Sequence, residues 1–331
     1  HTHTHTHTHT HTHTHTIGLS FELQKHLWSN PNIYDLVTSL ESVGLKSAST
    51  KLLPWLLQSG FPVIRLSVNS TNALTLTQTP ISKYLPNTNP LWWIYLPLRG
   101  SSNSGQTFEI SAEFQTPSWT SSLPQGNWLI EANYNFTGYF GIAYGDQWPA
   151  ITAHVMSPDF QPTVDRQLLV QSLFYLTRLS HEPLTHYLEY LDAFSPILAS
   201  FISGTPDQLA EALYVYPIIL QQISDLAAVT KTEPAVFQEF QNHLNTHFLA
   251  DAVRALRWMG GDDETLSVLR SPIFFWAVYF GLNSAELPIV NQAIQMYQQN
   301  GNNLPDDIKS AVYLAVAKYN GYIIQIGRAH V

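Results

Sequence analysis

Histidine and carboxylate spacing decides whether this chain can run metal-assisted hydrolysis. A zinc peptidase needs two histidines one helical turn apart, with a glutamate beside the first to polarise the metal-bound water. The 331 residues contain no His-Glu-x-x-His. The nearest approach is His181-Glu182-Pro183-Leu184-Thr185-His186. A spacing of five turns the second imidazole about 140° from the first on a helix, and Pro183 sets a helix start between them, so a solvated interhelical turn fits the hexapeptide better. His243, His247 and Asp251 are each four residues from the next and share one helix face. That set could take a surface metal, or it could be the polar face of an amphipathic helix whose Leu244, Phe248, Val253 and Leu256 lie nearer the core. Asp262, Asp263 and Glu264 sit together at a helix start, where negative charge complements the dipole. There is no Gly-x-Ser-x-Gly elbow, no cysteine and no glycine-rich phosphate loop, so Ser or Cys nucleophiles and phosphate cradles lack their groups.

Two aromatic clusters, Trp92, Trp93 and Tyr95, then Phe274, Phe275, Trp276, Tyr279 and Phe280, could line a peptide-binding wall. Aromatics at strand and helix spacing are more often core. Asn69-Ser70-Thr71 and Asn135-Phe136-Thr137 are glycosylation sequons, which require surface positions.

The elements that must position these residues fall into two periods. Before Gly60 the spacing is helical: Leu23 to Leu40 reads as two short helices broken at Asn30-Pro31, and a third follows, with Pro54 in its first turn and Gly60 just past its end. From Ile64 the period drops to two. Ile64, Leu66 and Val68 alternate with Arg65, Ser67 and Asn69, and Phe108, Ile110, Ala112 and Phe114 alternate with polar partners. With Ala73–Thr79, Leu91–Leu98, Asn127–Asn135 and Tyr139–Gly145, six strands are predicted, a small antiparallel β-sandwich. After Trp148 the chain reads as helix to its end. Thr205-Pro206-Asp207-Gln208 offers a capping box with proline at the first helical position. Ser271-Pro272 and Leu304-Pro305 open helices that Gly281 and Gly321 close. Helices joined by short turns suggest stacked antiparallel pairs, an all-α superhelical domain of the armadillo or HEAT kind.

Composition narrows the partners. Charged residues are 12%, against roughly 25% in ordinary globular domains, so Ser, Thr, Asn and Gln must carry the surface. The net charge is -9 with no Lys/Arg cluster, which argues against nucleic acid. No apolar run of about 18 residues stands out as a membrane span. Both ends look foreign. His1 to Thr16 is a strict His-Thr alternation, as a translated CA repeat or a tag would give, with a nickel-binding tract as the other reading. Ile326 to Val331 resembles a translated sequencing adapter, which implies that the natural protein continues past Gln325.

Three stretches carry a family resemblance. Leu23, Asn30, Asp35 and Leu36 are similar to the end of the catalytic domain in aminopeptidase N-type zinc enzymes. Trp55, Gln58, Gly60, Phe61, Pro62, Val63 and Ile64 follow that family's Trp-x-x-Gln-x-Gly-aromatic-Pro-Val pattern. Trp128, Asn135, Thr137, Gly138, Tyr139, Phe140, Ile142, Tyr144 and Asp146 match a third signature, departing at Gly141 and Ala143, where the family has Arg and Asn, and with Gly145 as an extra residue. Further on, Val170 and Gln171 replace a pair of Asp. The resemblance implies residues 17–50 as the end of a catalytic domain, 51–148 as the β-sandwich and 149–325 as a truncated helical C-terminal domain like that of endoplasmic reticulum aminopeptidases, with 1–16 and 326–331 set aside. It further implies that zinc belongs to a catalytic domain outside this chain, that no cofactor is held here, and that the whole protein acts on peptides. Its setting would be the plasma-membrane exterior or the secretory pathway, the cytoplasm remaining open, with any membrane anchor upstream. A non-catalytic scaffold that retains this architecture is the alternative.

Overall fold

The computed structural model describes residues 32–81, 90–102, 105–134, 138–157, 163–258 and 264–319. The His-Thr tract, Leu23 and Asn30, the sequon residues Asn135 and Thr137, the acidic pair Asp262-Asp263, Gly321 and the tail from Ile326 lie outside the described residues. The chain divides into two compact units, one running to Ile151 and including Tyr175–Glu182, the other comprising Thr152–Phe174 and everything from Pro183.

The first unit opens with α1 (Ile33–Ser42) and α2 (Ala48–Leu57). Asn32 caps α1 in a reciprocal box: its Oδ1 accepts from the backbone N–H of Tyr34 and Asp35, and Asp35 accepts from the Asn32 N–H. α2 starts six residues before Pro54, which therefore sits inside the helix rather than in its first turn. Among the described residues seven strands follow: β1 (Pro62–Val68), β2 (Ala73–Pro80), β3 (Ile94–Ser102), β4 (Thr107–Phe114), β5 (Ser118–Ser122), β6 (Trp128–Ala132) and β7 (Gly141–Ala143). They form a four-stranded sheet in the order β5-β2-β1-β7 and a three-stranded sheet in the order β4-β3-β6. Two departures from the sequence reading stand out. β5 is Ser/Thr-rich and has only Trp119 to signal a strand, and β7 pairs with β1 in parallel, Ile64 against Ile142, so the first sheet is mixed rather than antiparallel.

One buried side chain ties the sheets' connections together. Gln78 on β2 donates from Nε2 to the carbonyls of Trp92 and Thr116, and its Oε1 accepts from the Trp92 N–H. Trp92 itself is fully buried, so this neutral amide pairs backbone groups that would otherwise be stranded away from water.

The second unit is helical. It takes in the end of α3 (Trp148–Val155) and most of α4 (Thr163–Arg178), then α5 (Leu184–Phe201), α6 (Pro206–Thr230), α7 (Pro234–Leu244), a π turn (Asn245–Leu249), α8 (Ala250–Leu256), α9 (Glu264–Tyr279), α10 (Ile289–Asn300) and α11 (Asp306–Tyr319). The Thr205–Gln208 capping box is present, with Pro206 opening α6. Pro272 does not open a helix as its Ser-Pro context predicted; it lies inside α9. Gly281 ends that helix at φ 76°, a left-handed value that costs glycine least. At 25 residues α6 is long and apolar enough to cross a membrane by length and composition, which the search for an apolar run missed. Half of its apolar window is buried, and the buried stripe from Ala212 through Val215, Ile219 and Ile223 to Ala227 is that of a core helix.

Arg166 organises the start of this unit. Its Nε donates to the Val155 carbonyl at 2.8 Å, its Nη1 reaches both carboxylate oxygens of Glu211 at 3.2 and 3.3 Å, and its own carbonyl accepts from the Tyr190 hydroxyl. Burial raises the Glu211 carboxyl above its ordinary value, against the opposing pull of the Arg166 charge and hydrogen bond. The folded state thus holds a proton on Glu211 more tightly than the unfolded chain does. This group's contribution to stability therefore falls as pH rises from the ordinary glutamate range through the raised folded value. Thermal melts across acidic pH should show that slope in the wild type and its loss in Glu211→Gln. Arg166→Met, which leaves a buried carboxylate unpaired, should cost about 3–5 kcal/mol at neutral pH by urea titration.

Candidate functional site

Each histidine set is used differently from the way its spacing suggested. The π turn intervenes between His243 at the end of α7 and Asp251 in α8, and widens the helix by one residue there. His243 and His247 lie with ring centroids 4.9 Å apart and planes at 31°, so ring faces rather than convergent nitrogens meet. His243 Nε2 lies 3.0 Å from Asp192 Oδ1 on α5, and Asp251 is engaged by Arg254 at 2.8 Å. His181 places Nε2 2.7 Å from the Ile81 carbonyl, and Glu182 accepts from the Gly145 N–H. His186 sits in the first turn of α5. Among the described residues no three His, Cys, Asp or Glu side chains gather to hold a metal. The described residues offer no ligand set for the zinc that the resemblance places in a domain outside this chain.

The aromatic clusters divide. Trp92 and Phe274 are fully buried and Phe280 nearly so, as core residues, whereas Tyr95 is 47% exposed on β3. Trp276 packs on Tyr279 and Phe280 at 5.1 and 5.3 Å, and Lys318 lies over the Tyr279 ring at 4.8 Å. Asn69 is exposed at the β1–β2 turn.

The concave feature of interest in the helical unit is a cleft of about 360 Å³ beside the π turn, bordered by Asn242, Asn245, Thr246, Arg254, Asn283 and Ser284 among others. α7 and the π turn present the first three, α8 presents Arg254, and the loop after the Gly281 cap presents the last two. Asn245 donates from Nδ2 to the Phe280 carbonyl at 2.9 Å, while its Oδ1 is buried without a partner. Arg254 is half-exposed and shared between Asp251 and Glu286, the latter at 3.7 Å. Neutral amides and one partly compensated guanidinium suit hydrogen bonding to a peptide backbone. Among the described residues that border the cleft, none is a nucleophile paired with a base. The sequence reading missed these residues. No sequence signal marks them, because Asn242, Asn245 and Thr246 flank the buried Leu244 as the polar positions of any amphipathic helix would.

Gly141 and Ala143 show what replaced the resembling family's Arg and Asn. Both are buried on β7, and Ala143 clusters with Val63, Ile81 and Leu176. A Cβ on Gly141 would meet a Leu176 methyl at 3.0 Å, so a side chain here would require Leu176 to shift.

Comparison with known proteins defines the class. Residues 129–325 match the family described as the ERAP1-like C-terminal domain, and the chain belongs to that family. Among curated proteins it is similar to glutamyl aminopeptidase of Bitis rhinoceros (24% identical over 265 residues, 77% of this chain and 26% of the relative). It is also similar to endoplasmic reticulum aminopeptidase 1 of Rattus norvegicus (25% over 275 residues; 80% and 27%) and to alanine/arginine aminopeptidase of Saccharomyces cerevisiae (22% over 321 residues; 92% and 34%). The chain thus carries an aminopeptidase-related C-terminal domain and spans about a quarter to a third of the length of these relatives.

With the His-Thr tract removed, the chain is expected to bind zinc no more tightly than isolated surface histidines do. Equilibrium dialysis checks this: saturable sub-micromolar binding that disappears in His247→Ala would show that the His243–His247 pair rearranges into a chelate.

Proposed function

We propose that this chain is the accessory C-terminal region of a zinc-dependent aminopeptidase that removes N-terminal residues from peptides, with zinc and catalytic groups in a domain outside the chain. The observation that carries the reading is the match over 129–325 to the ERAP1-like C-terminal domain family, together with the similarity to the aminopeptidases named above; the polar cleft beside the π turn is in keeping with it. In this reading the helical region forms a superhelical wall of the substrate chamber and closes on the catalytic domain. Its amide-lined cleft takes backbone groups of the peptide away from the scissile bond. The proposed setting is the secretory pathway or the cell exterior, in keeping with the endoplasmic reticulum named for one relative.

A scaffold that has given up the chemistry is the second reading. Its support is the apolar Gly141–Ala143–Leu176 packing where the resembling enzymes have Arg and Asn. The coding sequence upstream separates the two, since an intact His-Glu-x-x-His with a distant Glu belongs to an enzyme.

Purified alone, the chain should release no aminoacyl fluorophore; metal-dependent turnover by it would overturn the assignment of catalysis to another domain. In the whole enzyme, Arg254→Ala should raise KM for long peptides by about three- to tenfold with kcat unchanged, the pattern of a lost uniform binding contact. Single aminoacyl fluorophores, too short to reach the cleft, should be hydrolysed as by the wild type. Steady-state kinetics on both substrates makes the comparison.

A further inference from the structure

The β1–β2 turn contains an asparagine whose amide nitrogen the fold does not use. Asn69 closes the hairpin with backbone bonds: its N–H donates to the Ala73 carbonyl at 3.1 Å and its carbonyl accepts from the Asn72 N–H at 3.0 Å. Its side-chain Oδ1 accepts three more, from the Thr71 N–H at 3.0 Å, the Thr71 hydroxyl at 2.8 Å and the Ala73 N–H at 2.8 Å. This is an Asx turn. An aspartate would accept the same three bonds and serve the turn equally. Nδ2 donates to no described residue, and Asn69, Ser70 and Thr71 are all exposed. Asn72 anchors the turn from the other side, its carbonyl accepting from the Leu123 N–H at 2.8 Å, so the tip is held in place while the Asn69 amide faces water.

We infer that Asn69 is an N-glycosylation site of the folded protein, its Nδ2 taking an oligosaccharide from a polyprenyl-pyrophosphate-linked donor. The bond from the sugar's C1 to the pyrophosphate oxygen breaks and C1 bonds to Nδ2. The pyrophosphate leaves with the electron pair, and one amide proton passes to a base of the transferring enzyme. Ser70 is not proline and Thr71 supplies the required hydroxyl. The product keeps its carbonyl oxygen, so all three hydrogen bonds of the turn survive modification and the glycan projects from the exposed face formed by Asn69, Ser70 and Thr71. The inference rests on the secretory setting proposed above and not on peptidase activity.

The test directs the chain behind a cleavable secretory leader in cultured insect cells and reads the peptide containing Asn69 by mass spectrometry, with and without peptide N-glycosidase. The same peptide is read from the protein purified from its own cells. Glycan is expected on Asn69 in both sources, lost in Thr71→Ala and retained in Ser70→Ala and Asn135→Gln. An unmodified Asn69 in the chain recovered from the secretory lumen or medium overturns the inference and leaves the peptidase reading intact. A glycan on the secreted chain with bare Asn69 in a cytosolic native protein overturns the inference together with the secretory setting.

Discussion

Arg166 is the residue on which the helical unit depends most directly. A guanidinium buried to this degree is tolerable only when its donors are occupied, and the donors that are accounted for tie α4 to the last residue of α3 and to Glu211 on α6. The same residue's carbonyl is taken by Tyr190 of α5, and the Phe201 ring at the end of α5 lies 5.9 Å from the guanidinium. Four helices therefore meet at one cation. Apolar packing alone would allow those helices to slide by small steps; a buried arginine on α4 with fixed partners on the other three narrows the arrangement. Burial pushes the neighbouring hydroxyls of Tyr187 and Tyr190 upward in pKa, which keeps them as neutral donors, and Tyr187 spends its proton on Gln222 of α6 at 2.8 Å.

The β unit satisfies buried backbone groups with neutral side chains, alongside the Arg99–Glu131 ion pair between β3 and β6. Gln78 matches three backbone groups with one amide, and Tyr144 does the like for β6, its hydroxyl lying 3.2 Å from both the Ala132 N–H and the Ala132 carbonyl. The apolar cluster of Val63, Ile81, Ala143 and Leu176 then fills the space beside β7. Leu176 comes from the end of α4, and the glycine at 141 lets its methyl approach the strand. Gly141 and Ala143, small residues on β7, leave the volume that this leucine occupies, a fit visible only once the two segments are seen together.

What was legible in the sequence follows from whether the controlling interactions are local. Capping at Thr205–Gln208 and the helix stop at Gly281 involve residues within one or two turns, and both stand as predicted. Six strands with alternating apolar residues were found. β5 was not, because Ser118–Ser122 owes its extended form to pairing with β2 rather than to a hydrophobic period. Pro272 misled for the opposite reason: Ser-Pro is a good helix start in isolation, but the segment before it is held as helix over Glu264–Ser271 by packing against other helices. The π turn had no sequence signature at all. It lies between His243 and Asp251 and carries Asn245, which bonds the Phe280 carbonyl and borders the cleft. The fold was therefore largely readable and the site was not, since the site depends on one inserted residue in a helix.

Low charge content and the amide-lined cleft have a common physical consequence. In the proposed reading the helical wall must accept peptides of differing sequence, and a fixed array of charges would discriminate among them strongly, because each buried like-charge contact costs several kcal/mol by order of magnitude. Side-chain amides can donate or accept and meet the backbone, which every peptide shares. Arg254, the cleft's guanidinium, is already shared with Asp251 and Glu286, so it contributes donors with little net field. A surface built this way offers weak contacts at many points and favours no one side-chain charge.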